Sequence, residues 1–183
     1  MTVLHSLEAL ANWQKKLNWA GRKSSFVPTM GALHQGHASL IVQAANSSDL
    51  VLASILVNPT QFNDARDYDK YPRSLEDDVQ KAAHAGAQAV FAPSAEELYR
   101  GTPASEPVHW GALTHSYEGA MRKGHFDGVI AVVDLLFQAT KPDIAVFGEK
   151  DLQQVGVIRR LAQERHPDID IHAGDLVRDE NGL

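Results

Sequence analysis

The sequence predicts an α/β fold: a Rossmann-like parallel sheet with helices on both faces. Three observations carry that expectation. Short apolar runs alternate with helical patterns, in the order helix, strand, helix, strand, helix, strand, helix, strand, helix, strand. The run at 50–57, LVLASILV, is nearly all apolar, as a strand covered on both faces must be. Polar motifs at 30–37, 58–62 and 148–154 each follow a predicted strand. Open parallel sheets bind ligands beyond the carboxyl ends of their strands, so the motifs share one side. No internal repeat interrupts the pattern.

Residues 6–20 read as the first helix. Ser6 can cap it, Glu8 suits its positive end, and Leu7, Leu10, Trp13 and Leu17 share one face before Gly21 ends it. A strand follows at 25–27, where Pro28, lacking an N–H, should end the ladder. Gly31 and Gly36 punctuate a turn, and a second helix spans about 36–46. After the strand at 50–57, residues 63–73 read as a charged loop. Ser74 then caps a helix ending at Gly86. A short strand at 89–91 leads into a loop through Tyr99 to Pro107, and 108–113 is expected to be a small strand. The helix at 126–140 is apolar on more than one face, which calls for deep packing, in part against another subunit. Pro142 breaks it. A strand at 144–147, an amphipathic helix marked by Leu152, Val155, Ile158 and Leu161, and a last strand at 169–172 complete the chain.

At 183 residues the chain can bury a real core, and 44% hydrophobic with 22% charged residues is ordinary for a globular protein. A net charge of −6 argues against nucleic acid as a partner, since a binding face needs clustered Lys and Arg. The absence of cysteine excludes disulfides, thiolate metal sites and cysteine nucleophiles, and fits a cytoplasmic setting. The N-terminus lacks the basic and apolar regions of a signal peptide. No membrane partner is expected either: the apolar run at 129–137 is short and interrupted by Asp134.

The chemistry concentrates in the strand-end motifs. A helix beginning near Gly36 presents N–H groups and a positive dipole end that favour phosphate, and His34 and His37 stand at that mouth, each able to donate to a phosphate oxygen. They could also be incidental surface histidines. A zinc site would need a third and usually a fourth ligand, and neither cysteine nor a second His-rich pair supplies one. Asn58 and Gln61, with Phe62 as an apolar wall, could hold the hydroxyl and carboxylate oxygens of a small acid, or simply form a capped turn. Asp77 and Asp78 either help hold Mg²⁺ near a triphosphate or complement a helix dipole. Arg122 and His125 offer cationic contacts to an anion, or lie in a solvated loop. Lys150 could neutralise a phosphoryl group in flight, or pair with Glu149 or Asp151; Gln154 lies one turn further on the same face.

The run Pro28-Thr29-Met30-Gly31 followed by His34-Gln35-Gly36-His37 resembles the nucleotide-binding signature of the pantothenate synthetase family. That family belongs to the HxGH nucleotidyltransferases, related in fold to class I aminoacyl-tRNA synthetases. Asn58-Pro59-Thr60-Gln61-Phe62 is close to the family's Asn-Pro-x-Gln-Phe motif, and Tyr71-Pro72-Arg73 matches a family pattern. Residues 118–129 resemble its Glu-Gly-x-x-Arg-x-x-His-Phe-x-Gly-Val stretch, and 148–154 its Gly-Glu-Lys-Asp-x-Gln-Gln motif. Residues 177–183 look like its Arg-x-x-Asp-Gly-Leu segment, with Asn181 where Asp is usual.

The resemblance covers essentially the whole chain and implies an ATP-dependent, AMP-forming ligase of the HxGH type. Pantoate carboxylate attacks the α-phosphate of ATP to give pantoyl adenylate and pyrophosphate; the amine of β-alanine then displaces AMP to give pantothenate. By the same resemblance His34 and His37 contact phosphates, with His37 in the family's proton-donor position, and Lys150 stabilises the pentavalent phosphorus. Asn58, Gln61 and Gln154 hold pantoate, and Gln61 also β-alanine. Met30, Gly31, Ala32, Leu33, Gln35, Gly36, Gly148, Glu149, Asp151 and Val177 surround the nucleotide with the two histidines and Lys150. Mg²⁺ would come with ATP, and Arg122 and His125 would line the site. A cytoplasmic homodimer is implied. Residues 1–175 would form the ATP- and pantoate-binding domain. Residues 176–183 would start the linker to a C-terminal lid domain, absent here along with a Ser-Ser-Arg-Asn motif, so impaired turnover is expected. Two other functions fit: another HxGH nucleotidyltransferase, or a non-catalytic nucleotide-binding or dimerisation module.

Overall fold

The computed structural model describes residues 1–183 except Asn63, Asp179, Asn181 and Leu183, so the departure noted at Asn181 lies outside the described residues. The chain opens on a strand that sequence periodicity misses, β1 (Thr2–Leu4), before α1 (Leu7–Leu17). Ser6 caps α1, its side chain accepting from the Ala9 N–H, as expected. The helix stops earlier than expected, at the left-handed Asn18, and Gly21 closes a separate 3₁₀ turn over Trp19–Gly21. β2 (Ser24–Thr29), α2 (Gln35–Ser47) and β3 (Leu50–Ile55) follow.

Pro28 does not end β2; it pairs in register with Ser54. The ladder from β2 to its other neighbour covers Ser25 and Phe26, so at Pro28 the strand runs beside β3 alone and one missing donor is tolerated. The expected charged loop contains a short helix, α3 (Ala65–Lys70), capped by Asp64, before α4 (Leu75–His84). Ser74 occupies the cap position of α4 without a side-chain hydrogen bond. After β4 (Ala89–Phe91), α5 (Ala95–Tyr99) stands inside the expected loop. The small strand expected at 108–113 is absent; α6 (Ala112–His115) and α7 (Glu118–Met121) fill that excursion. These helices are too short to show a 3.6-residue period in sequence. α8 (His125–Thr140), β5 (Ile144–Gly148), α9 (Leu152–Arg165) and β6 (Asp170–Gly174) match the predicted elements within a few residues.

The six strands form one sheet in the order β1-β4-β3-β2-β5-β6, parallel throughout. Alternation along each strand feeds two cores. Phe26, Leu52, Phe91, Ala145 and Phe147 face α1, α5, α8 and α9, whereas Val27, Val51, Ala53, Val90 and Val146 face α2 and α4. α8 is deeply packed as expected, with Phe126, Val129, Ile130, Val133 and Phe137 buried. No helix of the described residues is long and apolar enough to cross a membrane.

Strand order reverses at β2: the chain moves from β2 to β3 on one side and returns with β5 on the other. Because β2 and β5 pair only near their starts, their carboxyl ends part. Such a crevice is where doubly wound sheets take ligands.

Candidate functional site

The end of β2 is tied before it turns. The Thr29 hydroxyl donates to the Ser54 carbonyl at 2.7 Å and accepts from the Gly31 N–H at 3.2 Å. Gly31 (φ +89°) and Ala32 (φ +52°) then adopt left-handed backbone. For alanine that costs about 1–2 kcal/mol. The offset comes from α4: the buried Asp78 carboxylate accepts the N–H groups of Ala32 at 2.8 Å and Leu33 at 2.7 Å. Asp78 is therefore more than a partner to the α4 dipole: it holds the turn that leads into α2. Ala32 and Leu33, expected to serve ATP, have their amides occupied by this carboxylate.

α2 begins with histidine rather than the usual Ser, Thr, Asp or Asn. His34 is the N-cap, its Nδ1 accepting from the Gly36 N–H at 3.1 Å, while Nδ1 of His37 accepts from the His34 N–H at 3.4 Å. The ring centroids lie 4.0 Å apart. An Nδ1 that accepts from an amide carries no proton, which in a neutral imidazole leaves the N–H on Nε2, uninvolved in these two bonds. Burial, foremost, and then the neighbouring His34 push the His37 pKa down to about 4; Asp78 and Asp151 oppose that shift and Lys150 adds to it. Gly36 serves something other than chain reversal. It is helical, and a Cβ there would meet the His34 ring at 3.0 Å.

Asn58, expected to hold pantoate, is fully buried. Its Nδ2 donates to the Gly128 carbonyl at 3.1 Å and to Thr60 Oγ1 at 2.9 Å, and its Oδ1 accepts from the Tyr99 hydroxyl at 3.1 Å. With both ends of the amide engaged, the structure assigns Asn58 to bracing in place of ligand contact. The brace presses the 3₁₀ turn Pro59–Gln61 against α8 so closely that a Cβ on Gly128 would sit 2.3 Å from the Thr60 carbonyl. Gln61 follows. Its carbonyl accepts from His125 Nδ1 at 3.2 Å and Arg122 Nη2 at 3.4 Å. Burial lowers the His125 pKa. Neutral His125, donating through Nδ1, thus carries its lone pair on Nε2, the reverse of His34 and His37.

Beyond β5, the turn Glu149–Asp151 carries Lys150. Its ammonium lies 3.4 Å from Asp151, but the two side chains are 72% and 59% exposed, so this pair holds Lys150 weakly. A cavity of about 1010 Å³ joins Met30, Gln61, Arg122, His125, Lys150 and Gln154. Tyr71 and Phe126, which fall in the family-like motifs at 71–73 and 118–129 without an expected site role, also line it, as does Leu113, which lies in none of the motifs. Gln153, adjacent to the expected Gln154, pins α9 to the α6–α7 excursion by donating to the Leu113 and Ser116 carbonyls. Gly148 pairs with Gly174, and Val177 lies half-exposed just past β6 on the same side of the sheet, outside the cavity. Glu149 and Gln35 are exposed.

Asp77 is on the surface, 3.4 Å from Lys81, and Asp78 is engaged with amides. Among the described residues no three His, Asp or Glu side chains gather to hold a metal ion. These carboxylates therefore do not fit a protein-held Mg²⁺ site.

A family model described as pantoate-beta-alanine ligase matches residues 2–183. The pantothenate synthetase of Bacteroides fragilis is 44% identical over all of this chain, which spans 64% of that protein. The pantothenate synthetase of Marinobacter nauticus is 45% identical, with 65% of its length spanned. A solved pantothenate synthetase from Thermus thermophilus superposes with a TM-score of 0.91 at 39% identity, over 100% of this chain and 64% of that one. The pantoate-beta-alanine ligase of Francisella tularensis, solved with β-γ ATP and β-alanine, gives 0.93 at 38% identity, over 100% and 70%. The chain thus spans a little under two thirds of the curated relatives it matches.

Proposed function

Because the chain belongs to the pantoate-β-alanine ligase family, we propose that its crevice between β2 and β5 carries the ATP-dependent joining of pantoate and β-alanine. The observation that carries this reading is the imidazole-built cap of α2: its His37 feels the charges of Lys150 and Asp151, and those two residues line the cavity with Gln61 and Gln154, although His34 and His37 do not line it themselves. Two Nε2–H donors, a helix N-terminus and a loosely held ammonium together suit a polyphosphate.

A pantoate carboxylate oxygen attacks the α-phosphorus of ATP, and the bond to pyrophosphate breaks. The amine of β-alanine then attacks the acyl carbon of the adenylate. A C–N bond forms, AMP departs with the bridging oxygen, and the amine loses its proton. The protein's part is to position and neutralise. His34 and His37 donate hydrogen bonds to phosphate oxygens. Burial holds the His37 pKa down to about 4 in the ligand-free chain, so His37 meets the phosphates as a neutral Nε2–H donor, in the position the family resemblance gives to the proton donor. Lys150 takes up charge on the phosphorus in flight. The Gln61 and Gln154 amides hold pantoate against Phe62 and Tyr71, with Gln61 also meeting β-alanine. Mg²⁺ would enter with ATP and offset charge on its phosphates, and among the described residues no carboxylate cluster would hold it.

Residues 1–175 form the nucleotide- and pantoate-binding unit in this reading, with Val177, just past β6, meeting the nucleotide. A cytoplasmic homodimer accords with it. The test is a single turnover with excess protein, Mg²⁺, pantoate and ATP labelled at the α-phosphate. Label passing into an adenylate, and into AMP on adding β-alanine, supports the reading. Label that stays in ATP, with no ATP binding by calorimetry, overturns it. Native mass measurement tests the dimer.

A further inference from the structure

Asp78 is 1% exposed, and among the described residues no lysine or arginine pairs with it. A buried negative charge beside a polyphosphate site is adverse unless the structure puts it to use. Its partners are the amides of Ala32 and Leu33, at 2.8 and 2.7 Å. Those amides follow two left-handed residues, Gly31 and Ala32. Successive N–H groups gathered by such a turn form a concave nest that binds anions. Here the nest already holds one, supplied by α4.

We propose that Asp78 is a positioning residue of the nucleotide site: its carboxylate fills the amide nest of the 31–33 turn, so that phosphate is refused there and received by the start of α2 and the Nε2–H groups of His34 and His37. The inference rests on the nucleotide reading above. Its geometric basis is independent of that reading, because Leu33 directly precedes the capping histidine. A turn released from Asp78 loses the two bonds that hold Ala32 left-handed. The His34 ring then loses its fixed approach to Gly36. The nest, once emptied, competes for phosphate at a place too early in the chain for the histidines and Lys150 to share it.

The experiment follows ATP–Mg²⁺ binding by the chain, unaltered and as Asp78→Asn, by calorimetry and by ¹⁵N NMR. Asparagine keeps the size and one acceptor but turns a donor toward the second amide. The expected result is about tenfold weaker ATP binding by Asp78→Asn. In the unaltered chain, ATP should shift the His34 and His37 ring nitrogens and leave the Ala32 and Leu33 amides in place; in Asp78→Asn those amides should respond. A merely structural role for Asp78 would not redirect ATP between these groups. Unchanged affinity in the variant, or Ala32 and Leu33 amides that shift with ATP in the unaltered chain, would overturn the proposal. If Asp78→Asn does not fold, the NMR titration of the unaltered chain decides alone. A chain that binds no ATP at all fails the nucleotide reading first, an outcome visible before any variant is made.

Discussion

Asn58 and Gly128, far apart in sequence, are joined by a 3.1 Å hydrogen bond from the Asn58 amide to the Gly128 carbonyl, with Asn58 fully buried. The bond locks the end of β3 to the first turn of α8. Asn58→Ala should lower stability by about 1–3 kcal/mol, because it leaves the Gly128 carbonyl and Tyr99 hydroxyl with a lost partner in the interior. Urea denaturation checks this. A variant with unchanged stability but weakened pantoate binding would return Asn58 to a ligand role.

Gly128→Ala should be worse. Its Cβ would meet the Thr60 carbonyl at 2.3 Å and the Gln61 amide at 2.8 Å, both backbone atoms that cannot swing aside. A loss of about 3 kcal/mol or more, or a displaced Gln61, is expected. Thermal unfolding together with the NMR shifts of residues 59–62 measures both outcomes.

Gly36→Ala should separate binding from stability. The position is helical, so alanine favours α2 by up to about 1 kcal/mol, yet its Cβ would press on the His34 ring at 3.0 Å. The expected variant is as stable as the parent and binds ATP more weakly. Equal ATP affinity would show that the His34 ring is not part of the nucleotide contact.

His37 should make the fold acid-sensitive. Its pKa is about 4 in the folded chain against 6.5 for an unperturbed histidine. Between those values the unfolded chain binds the extra proton, so the contribution is complete above pH 6.5 and lost as pH falls toward 4. The loss amounts to about 3 kcal/mol at most. His125 is lowered too and adds in the same direction. Comparing denaturation of the parent and His37→Gln between pH 4 and 7.5 isolates the His37 share; parallel curves would contradict it.

Lys150→Ala should leave stability within about 0.5 kcal/mol, since its ion pair with Asp151 is largely exposed. Adenylate formation should fall by roughly a hundredfold or more if Lys150 takes up charge in the transition state. Rapid-quench single turnover reads that loss. A fall in ATP affinity with an unchanged chemical rate would assign Lys150 to ground-state binding.

The sheet was legible in sequence because its central strands are apolar on both faces and their motifs follow immediately. β1 was not, since three residues carry no period. Nor were α3, α5, α6 and α7, for the same reason. At the site, histidine is absent from the usual list of capping residues, so His34 reads as a ligand contact before it reads as a cap. Asp78 stands 45 residues from Leu33, and nothing local in α4 announces that its first-turn carboxylate reaches another element. Asn58 shows the converse: a polar residue at a strand end suggests a ligand, and burial alone reveals a brace.

The strand order also dictates a sequence of events during synthesis. β1 leaves the ribosome first, yet its partner residues 89–91 belong to β4. β2, the strand beside the crevice, gains its second neighbour when residues 144 and 145 emerge. Until residues 89–91 emerge to pair with β3, therefore, the growing chain carries an unpaired edge on each side of β2–β3, and the β2 edge stays open until β5 follows. Contacts closed over such separations form slowly and leave apolar strands open to other chains meanwhile. Release of heat-denatured chain into dilute, cool buffer should consequently recover more native protein than rapid refolding at high concentration, with light scattering as the record of what is lost.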